Sequence, residues 1–324
     1  MSENTQPTMP PADLERLKEK INDAIIALSG GAKVAIVGWC SAAFELAALP
    51  AFVTGAAKLE GIFSLQPVAA ARSLDEISSC CPDIVVIAED AGKEALLMAV
   101  ADRLPASTRL LIGGYAHFEF RDEIFDRVRR DLFIPSLANG YPHCLVHIYQ
   151  CLRNAHRQGL SGVVAEFGMF KGGTTMLMSR FIEELGASWK VYGFDTFGGF
   201  PARRSPLDMY NHPDCVFLNV DLVRAVFSGR NVEIVEGDVV NTVRRLADQD
   251  LVLSFVDTDN FTSASAIVNV VAERTVVGGA VIFDHWAGHG RYLDTVGERI
   301  AARKLADNPR YFNLHGTGVF LRQA

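Results

Sequence analysis

The chain has 324 residues, of which 49% are apolar, and a formal net charge of −7. This length exceeds the usual size of one domain, so we expect two domains with separate apolar cores. The acidic balance and the lack of a long basic run argue against nucleic acid as the main partner and favour a small-molecule ligand.

The cysteines and the N-terminus indicate a cytoplasmic protein. The six cysteines form no CxxC pair, which is typical of reduced thiols in that compartment. The N-terminal stretch MSENTQPTMPPADLERLKEK lacks the apolar core of a signal peptide. The apolar run from Val34 to Ala57 is interrupted by Glu45 and Pro50, so it predicts a buried strand and a helix, and we expect no membrane association.

The first part of the chain alternates helical stretches with short apolar strands. A helix is predicted after Pro11, where apolar residues recur at helical spacing: Leu14, Leu17, Ile21, Ile25 and Leu28. The strands that follow are KVAIVG (33–38), IFSL (62–65), DIVVIA (83–88) and RLLIGG (109–114). Because strands that alternate with helices form parallel sheets, we expect a smaller, Rossmann-like α/β accessory domain over residues 1–135. The second domain is expected over residues 136–324.

The turn after the first strand, GWCSAAF, bears on nucleotide binding. Only Gly38 remains of a GxGxxG pattern, and Trp39, Ala42 and Ala43 stand where glycine is needed. Side chains at these positions would meet the phosphates of a dinucleotide, so we predict that this domain carries no nucleotide. A structural or oligomerising role is expected for it, and we expect the protein to form a homo-oligomer.

The second part of the chain opens with the stretch VVAEFGMFKGGTT, residues 163–175. An apolar strand ends there on an acid, and a turn with three glycines leads into a helix predicted from about Thr174. Free N–H groups at a helix start bind anions, and glycines let a ligand touch the main chain. The stretch therefore predicts a ligand-binding turn.

Acids stand at the carboxyl ends of five successive predicted strands. The strands are GVVAEFG, KVYGFD, VEIVEGD, LVLSFVDTD and GGAVIFDHW, and the polar residues at their ends are Glu166, Asp195, Asp238, Asp257, Asp259, Asp284 and His285. Ligands bind at this edge of open α/β sheets, where an acid such as Asp195 can accept both hydroxyls of a ribose. Asp195 and Asp238 have an alternative role as caps of the helices that follow.

The stretches EFGMFKGGTT, VYGFDTFGGFP, FVDTDNF, GGAVIFDHW and HGTGVFLR resemble the macrocin O-methyltransferase (TylF-like) family over roughly residues 136–323. The resemblance implies a Rossmann-like class I methyltransferase domain that moves a methyl group from S-adenosylmethionine to a hydroxyl of a small molecule. In this family the acceptor is largely a sugar hydroxyl of a natural product. The implied cofactor-binding residues are Glu166, Phe167, Gly168, Gly172, Asp195, Thr196, Gly237 and Asp238.

The remaining acids fit metal-assisted chemistry. An alcohol deprotonates poorly near neutral pH, and a divalent cation with an adjacent carboxylate or imidazole lowers that barrier. Asp257, Asp259 and Asp284 offer the oxygen ligands that Mg²⁺ prefers. A further resemblance, to catechol O-methyltransferase, implies that acids after the fourth and fifth strands hold the metal, which here are Asp257 and Asp284. His285 is a further candidate metal ligand, and Asp257 and His285 are the candidate catalytic bases.

His285 departs from the family pattern, which usually has Asp-Asp where this chain has Asp284-His285. Imidazole suits Mn²⁺ better than Mg²⁺, so the Mg²⁺ that the resemblance implies has Mn²⁺ as its alternative here. Three roles stay open for His285: metal ligand, catalytic base, or a residue that only packs and forms hydrogen bonds.

Two other features leave alternatives. The segment from Pro201 to Asn231 is long for a connection, and it is either a lid over the acceptor or a disordered surface loop. The DTD at residues 257–259 also matches the DxD of glycosyltransferases, although the glycine turn with Asp195 fits an adenosyl ligand better. A third hypothesis is a non-catalytic methyltransferase relative that has lost its metal.

Overall fold

The structure is a computed structural model that describes residues 9–140, 142–287 and 293–324. The chain divides into two compact units, Met1–Phe120 and Arg121–Ala324.

The division lies ahead of the boundary near residue 135 that the sequence pattern predicts. The helix Glu123–Arg130 lies between the two positions, and its Phe125 and Val128 are buried in a core of the second unit. Its Asp122 cap also accepts a hydrogen bond from the hydroxyl of Tyr149, in the same unit, at 2.6 Å. These contacts explain why the helix belongs with the residues that follow it.

The first unit is a five-stranded parallel sheet with helices between its strands. The strands are β1 (Ala32–Val37), β2 (Ala57–Ser64), β3 (Arg72–Ser73), β4 (Ile84–Ile87) and β5 (Arg109–Ile112). The helices are α1 (Pro11–Ala27), α2 (Ser41–Ala47), α3 (Pro50–Val53), α4 (Ile77–Cys80) and α5 (Lys93–Ala101), with 3₁₀ turns at Leu74–Glu76 and Ala116–Phe118. The strand order is β3-β2-β1-β4-β5. The predicted smaller α/β domain with a parallel sheet is confirmed.

Helix α1 follows from its apolar spacing. Pro11 begins the helix, at a position where the backbone N–H has no partner within the helix, so the N–H that proline lacks is not needed. The residues buried along one face are Leu14, Leu17, Ile21, Ala24 and Ile25. Leu28, which continues the same spacing, lies beyond the last helical residue and is 45% exposed, so it does not share that buried face.

The second unit is a seven-stranded sheet with helices on both faces. The strands are β6 (Val163–Phe167), β7 (Lys190–Asp195), β8 (Val232–Glu236), β9 (Leu251–Val256), β10 (Thr275–Phe283), β11 (Tyr311–Asn313) and β12 (Val319–Arg322). The helices are α6 (Glu123–Arg130), α7 (Cys144–Arg157), α8 (Gly173–Leu185), α9 (Val220–Val226), α10 (Val239–Thr242), α11 (Phe261–Arg274) and α12 (Val296–Ala306). Single 3₁₀ turns lie at Pro213–Cys215, Val243–Leu246 and Leu293–Thr295.

The strand order of this sheet is β11-β12-β10-β9-β6-β7-β8, and β12 runs antiparallel to both of its neighbours. The other pairs are parallel. One reversed strand near the edge of an otherwise parallel, doubly covered sheet confirms the predicted Rossmann-like class I fold.

Two apolar cores hold the sheet. Residues of α10, α11 and α12 pack against one face, and residues of α6, α7 and α8 pack against the other. Strands β6 and β9 are buried along their whole length, as expected for central parallel strands. Their carboxyl ends therefore lie at the middle of one edge of the sheet. No helix in the described ranges has the length and apolarity that a membrane span needs.

Candidate active site

A cavity of about 460 Å³ lies at the carboxyl edge of the seven-stranded sheet. Strands β6, β7, β9 and β10 run in the same direction, so their carboxyl ends open into one cleft. The predicted site residues that line the cavity are Glu166, Gly168, Asp195, Thr196, Gly237, Asp257, Asp284 and His285. Most of the predicted cofactor residues thus share one cavity with the predicted metal residues.

The turn between β6 and α8 requires glycine for steric reasons. Gly168 has a φ of +90°, and a Cβ on it would lie 2.0 Å from the carbonyl oxygen of Asp257. Gly172 has a φ of +87°, and its Cβ would lie 2.6 Å from the ring of Phe227. Both backbone conformations are ones that side chains rarely adopt. Gly168 therefore lets this turn pack directly against the loop that follows β9, and Gly172 lets it pack against Phe227 after α9.

Glu166 is a buried carboxylate in the cavity wall. Its side chain accepts a hydrogen bond from the hydroxyl of Thr175 in α8, and 1% of the residue is exposed. Burial raises the pKa of Glu166 to about 8, although the hydrogen bond from Thr175 favours the charged form. A positively charged ligand group beside this carboxyl would ionise it, so the wall suits a cationic ligand.

Asp195 is the last residue of β7 and shapes the turn after it. Its Oδ2 accepts the N–H of Phe170 at 2.8 Å, and its Oδ1 accepts the N–H of Phe197 at 2.7 Å. Burial raises the pKa of Asp195 against the effect of these bonds. A carboxylate oxygen accepts more than one hydrogen bond, so both oxygens keep capacity for a ligand in the cavity.

Three predicted cofactor residues are not among the described residues that line the cavity. Phe167 is fully buried in the core. Gly172 acts through the turn, as the residue that precedes α8. Asp238 accepts the N–H of Val240 at 3.0 Å at the start of α10 and pairs with Arg204 at 2.5 Å. The described contacts of Asp238 are therefore those of a helix cap, which is its alternative predicted role.

Asp257, Asp259 and His285 form a cluster whose ligand atoms lie within 4.8 Å of one another. Nε2 of His285 lies 2.9 Å from Oδ1 of Asp259 and 3.5 Å from Oδ1 of Asp257. The same nitrogen lies 3.6 Å from Oδ2 of Asp284. Carboxylates and an imidazole gathered at this spacing are a donor set for a divalent cation.

Asp284 lies beside this cluster and holds the segment ahead of α7. Its two oxygens accept the N–H of Asn139 at 2.8 and 3.0 Å, and Oδ1 also accepts the N–H of Gly140 at 2.6 Å. The resemblance implied Asp284 as a metal ligand. The three-residue cluster also includes Asp259, and Asp284, which fixes a wall of the cavity, stays a predicted ligand beside it.

Burial and neighbouring charges shift the pKa values of His285 and Asp257 in the cluster. Burial lowers the pKa of His285, but hydrogen bonds to Asp257 and Asp259 outweigh this and raise it to about 12. Burial, together with the charge of Asp284, raises the pKa of Asp257 well above its usual range. An imidazolium therefore balances the carboxylates, and a bound cation would replace its proton.

Residues 196–216 form an ordered outer wall. Asp208 is buried and accepts the N–H groups of Thr262 at 2.8 Å and of Arg204 at 3.0 Å. Asn260 pairs with both the N–H and the carbonyl of Tyr210, at 3.0 and 2.9 Å. These bonds attach the wall to the start of α11. This part of the predicted lid is thus hydrogen-bonded to α11, and its role as a lid stays a prediction. Its residues that line the cavity include Phe200, Tyr210, His212, Asp214 and Cys215.

In the first unit, Glu89 fills the crevice after β1. Its Oε1 accepts the N–H of Trp39 at 3.0 Å. Its Cγ would lie 2.9 Å from a Cβ on Gly38. A carboxylate thus holds the main-chain N–H that a dinucleotide phosphate would use, and its charge would repel that phosphate. These contacts support the prediction that this unit carries no nucleotide.

The sequence profile of the Macrocin-O-methyltransferase (TylF) family matches residues 138–323. The chain belongs to this family. The predicted family and enzyme class are confirmed, and the protein is an S-adenosylmethionine-dependent O-methyltransferase. Comparison with curated proteins found no match.

Solved structures similar to this TylF-family chain include other methyltransferases. The O-methyltransferase NovP has 20% identity and a TM-score of 0.46, over 56% of this chain and 79% of that one. The calicheamicin methyltransferase CalS11 has 22% identity and a TM-score of 0.43, over 65% and 97%. PaMTH1 of Podospora anserina has 15% identity and a TM-score of 0.36, over 64% and 97%.

Two features beside the candidate site are not predicted by the sequence pattern. One is the segment ahead of α7, whose N–H groups at Asn139 and Gly140 bind Asp284. The other is Glu298 in the first turn of α12, a fully buried acid. Neither follows a strand, and neither belongs to a motif. The one sequence signal is the Gly297-Glu298 pair, an acid after a glycine at a helix start.

Proposed function

We propose that this TylF-family enzyme methylates a hydroxyl of a sugar-containing small molecule with the help of a divalent cation, Mg²⁺ or Mn²⁺. The observation that carries the proposal is that the Asp257, Asp259 and His285 cluster lines the same cavity as Glu166 and Asp195. One cavity thus offers a wall for the cofactor and a group for the cation.

The cofactor is proposed to lie along the ends of β6 and β7. S-adenosylmethionine is positively charged at its sulfonium and amino groups, and Glu166 is the buried acid that a positive end would ionise. Gly168 allows close approach to the main chain, and Asp195 would accept the ribose hydroxyls. Thr196 and Gly237 line the same part of the cavity.

The residues of the cluster fit a divalent cation. Two carboxylates and one imidazole suit Mn²⁺, whereas Mg²⁺ prefers oxygen ligands alone. The hydroxyl of Thr258, between the two acids in sequence, is buried without a hydrogen-bond partner among the described residues. A buried polar atom without a partner indicates a missing polar ligand. When bound, the cation would act as a Lewis acid on the acceptor hydroxyl.

Asp257 is proposed as the base that takes the acceptor proton. Its carboxylate lines the cavity within the cluster, where it would lie within reach of a hydroxyl bound there. His285 is proposed as a ligand through Nε2, which must lose its proton before it can bind the cation.

The acceptor is proposed to lie against the outer wall. Phe200 and Tyr210 meet edge to face with ring centroids 5.3 Å apart, and His212 and Asp214 line the cavity near them. A sugar ring combines apolar C–H faces with hydroxyls, so a wall of aromatic and polar side chains matches it. The TylF family resemblance likewise implies a sugar hydroxyl.

The test is calorimetry followed by a methyl-transfer assay. We expect the purified chain to bind S-adenosylmethionine, and to transfer labelled methyl to a member of a panel of glycosylated natural products and nucleotide sugars only when Mn²⁺ or Mg²⁺ is present. Binding of UDP-sugars in place of S-adenosylmethionine would support a glycosyltransferase. Cofactor binding without turnover on the whole panel would support a non-catalytic relative. A homo-oligomer remains a prediction, which sedimentation equilibrium checks.

A further inference from the structure

The first turn of α12 lies close against the outer wall and the start of α11. A Cβ on Gly297 would lie 2.4 Å from the carbonyl oxygen of Leu207 and 2.9 Å from the backbone nitrogen of Phe261. Only glycine permits this approach, which brings the next residue, Glu298, beneath the cavity edge. Glu298 has 0% of its surface exposed. A carboxylate so deeply buried needs several hydrogen bonds to remain charged.

Glu298 joins the loop after β9 to the loop after β10. Its Oε2 accepts the N–H groups of Thr258 and Asp259, each at 2.9 Å. Its Oε1 accepts the N–H of His285 at 3.1 Å. One carboxylate therefore binds the main chain of two of the three cluster residues, and each oxygen serves a different loop.

The loop after β9 needs such support. Asp259 adopts a left-handed backbone with a φ of +62°, which a residue other than glycine rarely does. The turn is tight, since the N–H of Asn260 lies 2.6 Å from the carbonyl oxygen of Thr258. The bond from the Asp259 N–H to Glu298 favours this conformation, and the conformation places the Asp259 carboxylate 2.9 Å from Nε2 of His285.

We propose that Glu298 is a positioning residue that fixes Asp259 and His285 at the spacing required to bind a divalent cation. The proposal rests on the proposed function for the identity of the bound group. Glu298 acts through backbone N–H groups and makes none of its described bonds to a side chain of the cluster.

The chemistry of the amide makes a sharp test. In Glu298→Gln the side chain keeps its size but has one acceptor oxygen, and its NH₂ would face an N–H of one of the two loops. One of the two loops then loses its hydrogen bond to residue 298. Glu298→Asp keeps both oxygens and shortens the side chain by one methylene. The matched control is Glu273→Gln. It breaks an exposed ion pair, in which the Glu273 carboxylate lies 2.6 Å from the guanidinium of Arg310, and this pair is not part of the cluster.

The measurements are Mn²⁺ affinity by calorimetry, S-adenosylmethionine affinity, kcat and KM, and the ring ¹⁵N resonances of His285 in metal-free protein. His285→Gln assigns those resonances. We expect Glu298→Gln to weaken Mn²⁺ binding and lower kcat at least about tenfold, to shift the His285 resonances, and to leave cofactor affinity within about twofold. Glu273→Gln should match the unmodified chain in all four measurements.

Unchanged His285 resonances and unchanged kcat in a folded Glu298→Gln would overturn the proposal. So would a loss of cofactor affinity as large as the loss of Mn²⁺ affinity, since that pattern indicates general collapse of the sheet edge. If Glu298→Gln fails to fold, Glu298→Asp is scored by the same criteria. If the unmodified chain binds no Mn²⁺, the cation proposal fails, and the resonances with kcat still decide the role of Glu298.

Discussion

Replacing Gly168 with alanine should disable the site through the main chain. The new Cβ would lie 2.0 Å from the carbonyl oxygen of Asp257, whereas real Cβ atoms essentially never come within 3.0 Å of another heavy atom. The two loops must therefore separate by about 1 Å, a displacement that costs about a hundredfold in rate when it reaches a reacting group. We expect Gly168→Ala to lower kcat/KM by about that factor and to weaken cofactor binding.

The stability cost of Gly168→Ala has two parts. A left-handed backbone costs alanine about 1–2 kcal/mol, and forcing a methyl group into a filled space adds about 1–3 kcal/mol. Gly186→Ala separates the two parts, because Gly186 has a φ of +71° and nothing within 4 Å of its Cβ position. Urea denaturation gives both free energies of unfolding. Equal losses in the two variants, with full turnover in Gly168→Ala, would refute the packing of this turn against the Asp257 loop.

Further outcomes are expected at the cofactor wall and at the cluster. Asp195→Ala should weaken S-adenosylmethionine by about 1–3 kcal/mol, because a ribose diol loses its charged acceptor; an unchanged dissociation constant in calorimetry would remove Asp195 from the site. Burial raises the pKa of Glu166 from 4.5 to about 8, so the folded chain holds a proton that the unfolded chain releases between these values, and stability should fall as pH rises through that window. Cofactor affinity should rise over the same window and level off above it, and calorimetry in Glu166→Gln should show a flat profile; an equal slope in both proteins contradicts the role of Glu166. Chelation should abolish methyl transfer and leave cofactor binding nearly intact, and Asp257→Asn should lower turnover at least about a hundredfold. His285→Asp should shift preference toward Mg²⁺; full activity in excess chelator, with a metal-free protein by elemental analysis, would rule out the cation.

Most of the framework was readable from local pattern. The apolar runs before Glu166, Asp195 and Asp257 form buried strands, because burial on both faces demands continuous apolar residues. The direction of parallel strands then places these acids on one edge without any knowledge of distances.

The sequence pattern did not predict which of these acids joins the cluster and which holds another part of the chain. Asp259 and Asp284 both follow strands, yet the first completes the cluster and the second binds the N–H groups of residues 139 and 140. That choice depends on a segment more than a hundred residues away in sequence. The fully buried position of Phe167 likewise follows from tertiary packing, because its side chain lies in the core that α10, α11 and α12 form with the sheet.

Glu298 was unreadable for a different reason. It belongs to a helix with no described residue in the wall of the cavity at the sheet edge, and an acid in a first helical turn is ordinarily a surface residue that favours the helix dipole. Its three bonds arise only because Gly297 lets the helix approach. The left-handed backbone of Asp259 carries no sequence mark either, since aspartate also occurs in ordinary turns.

The hydrogen bonds of Asp284 link two backbone amides to the state of the cluster. Its oxygens accept the N–H groups of Asn139 and Gly140, and Nε2 of His285 lies 3.6 Å from one of those oxygens. Any group that draws this carboxylate toward the cluster competes with two amide hydrogens for the same lone pairs. The solvent-exchange rate of those two amide hydrogens should therefore change when a group binds at the cluster. Asn139 and Gly140 are not themselves members of the cluster.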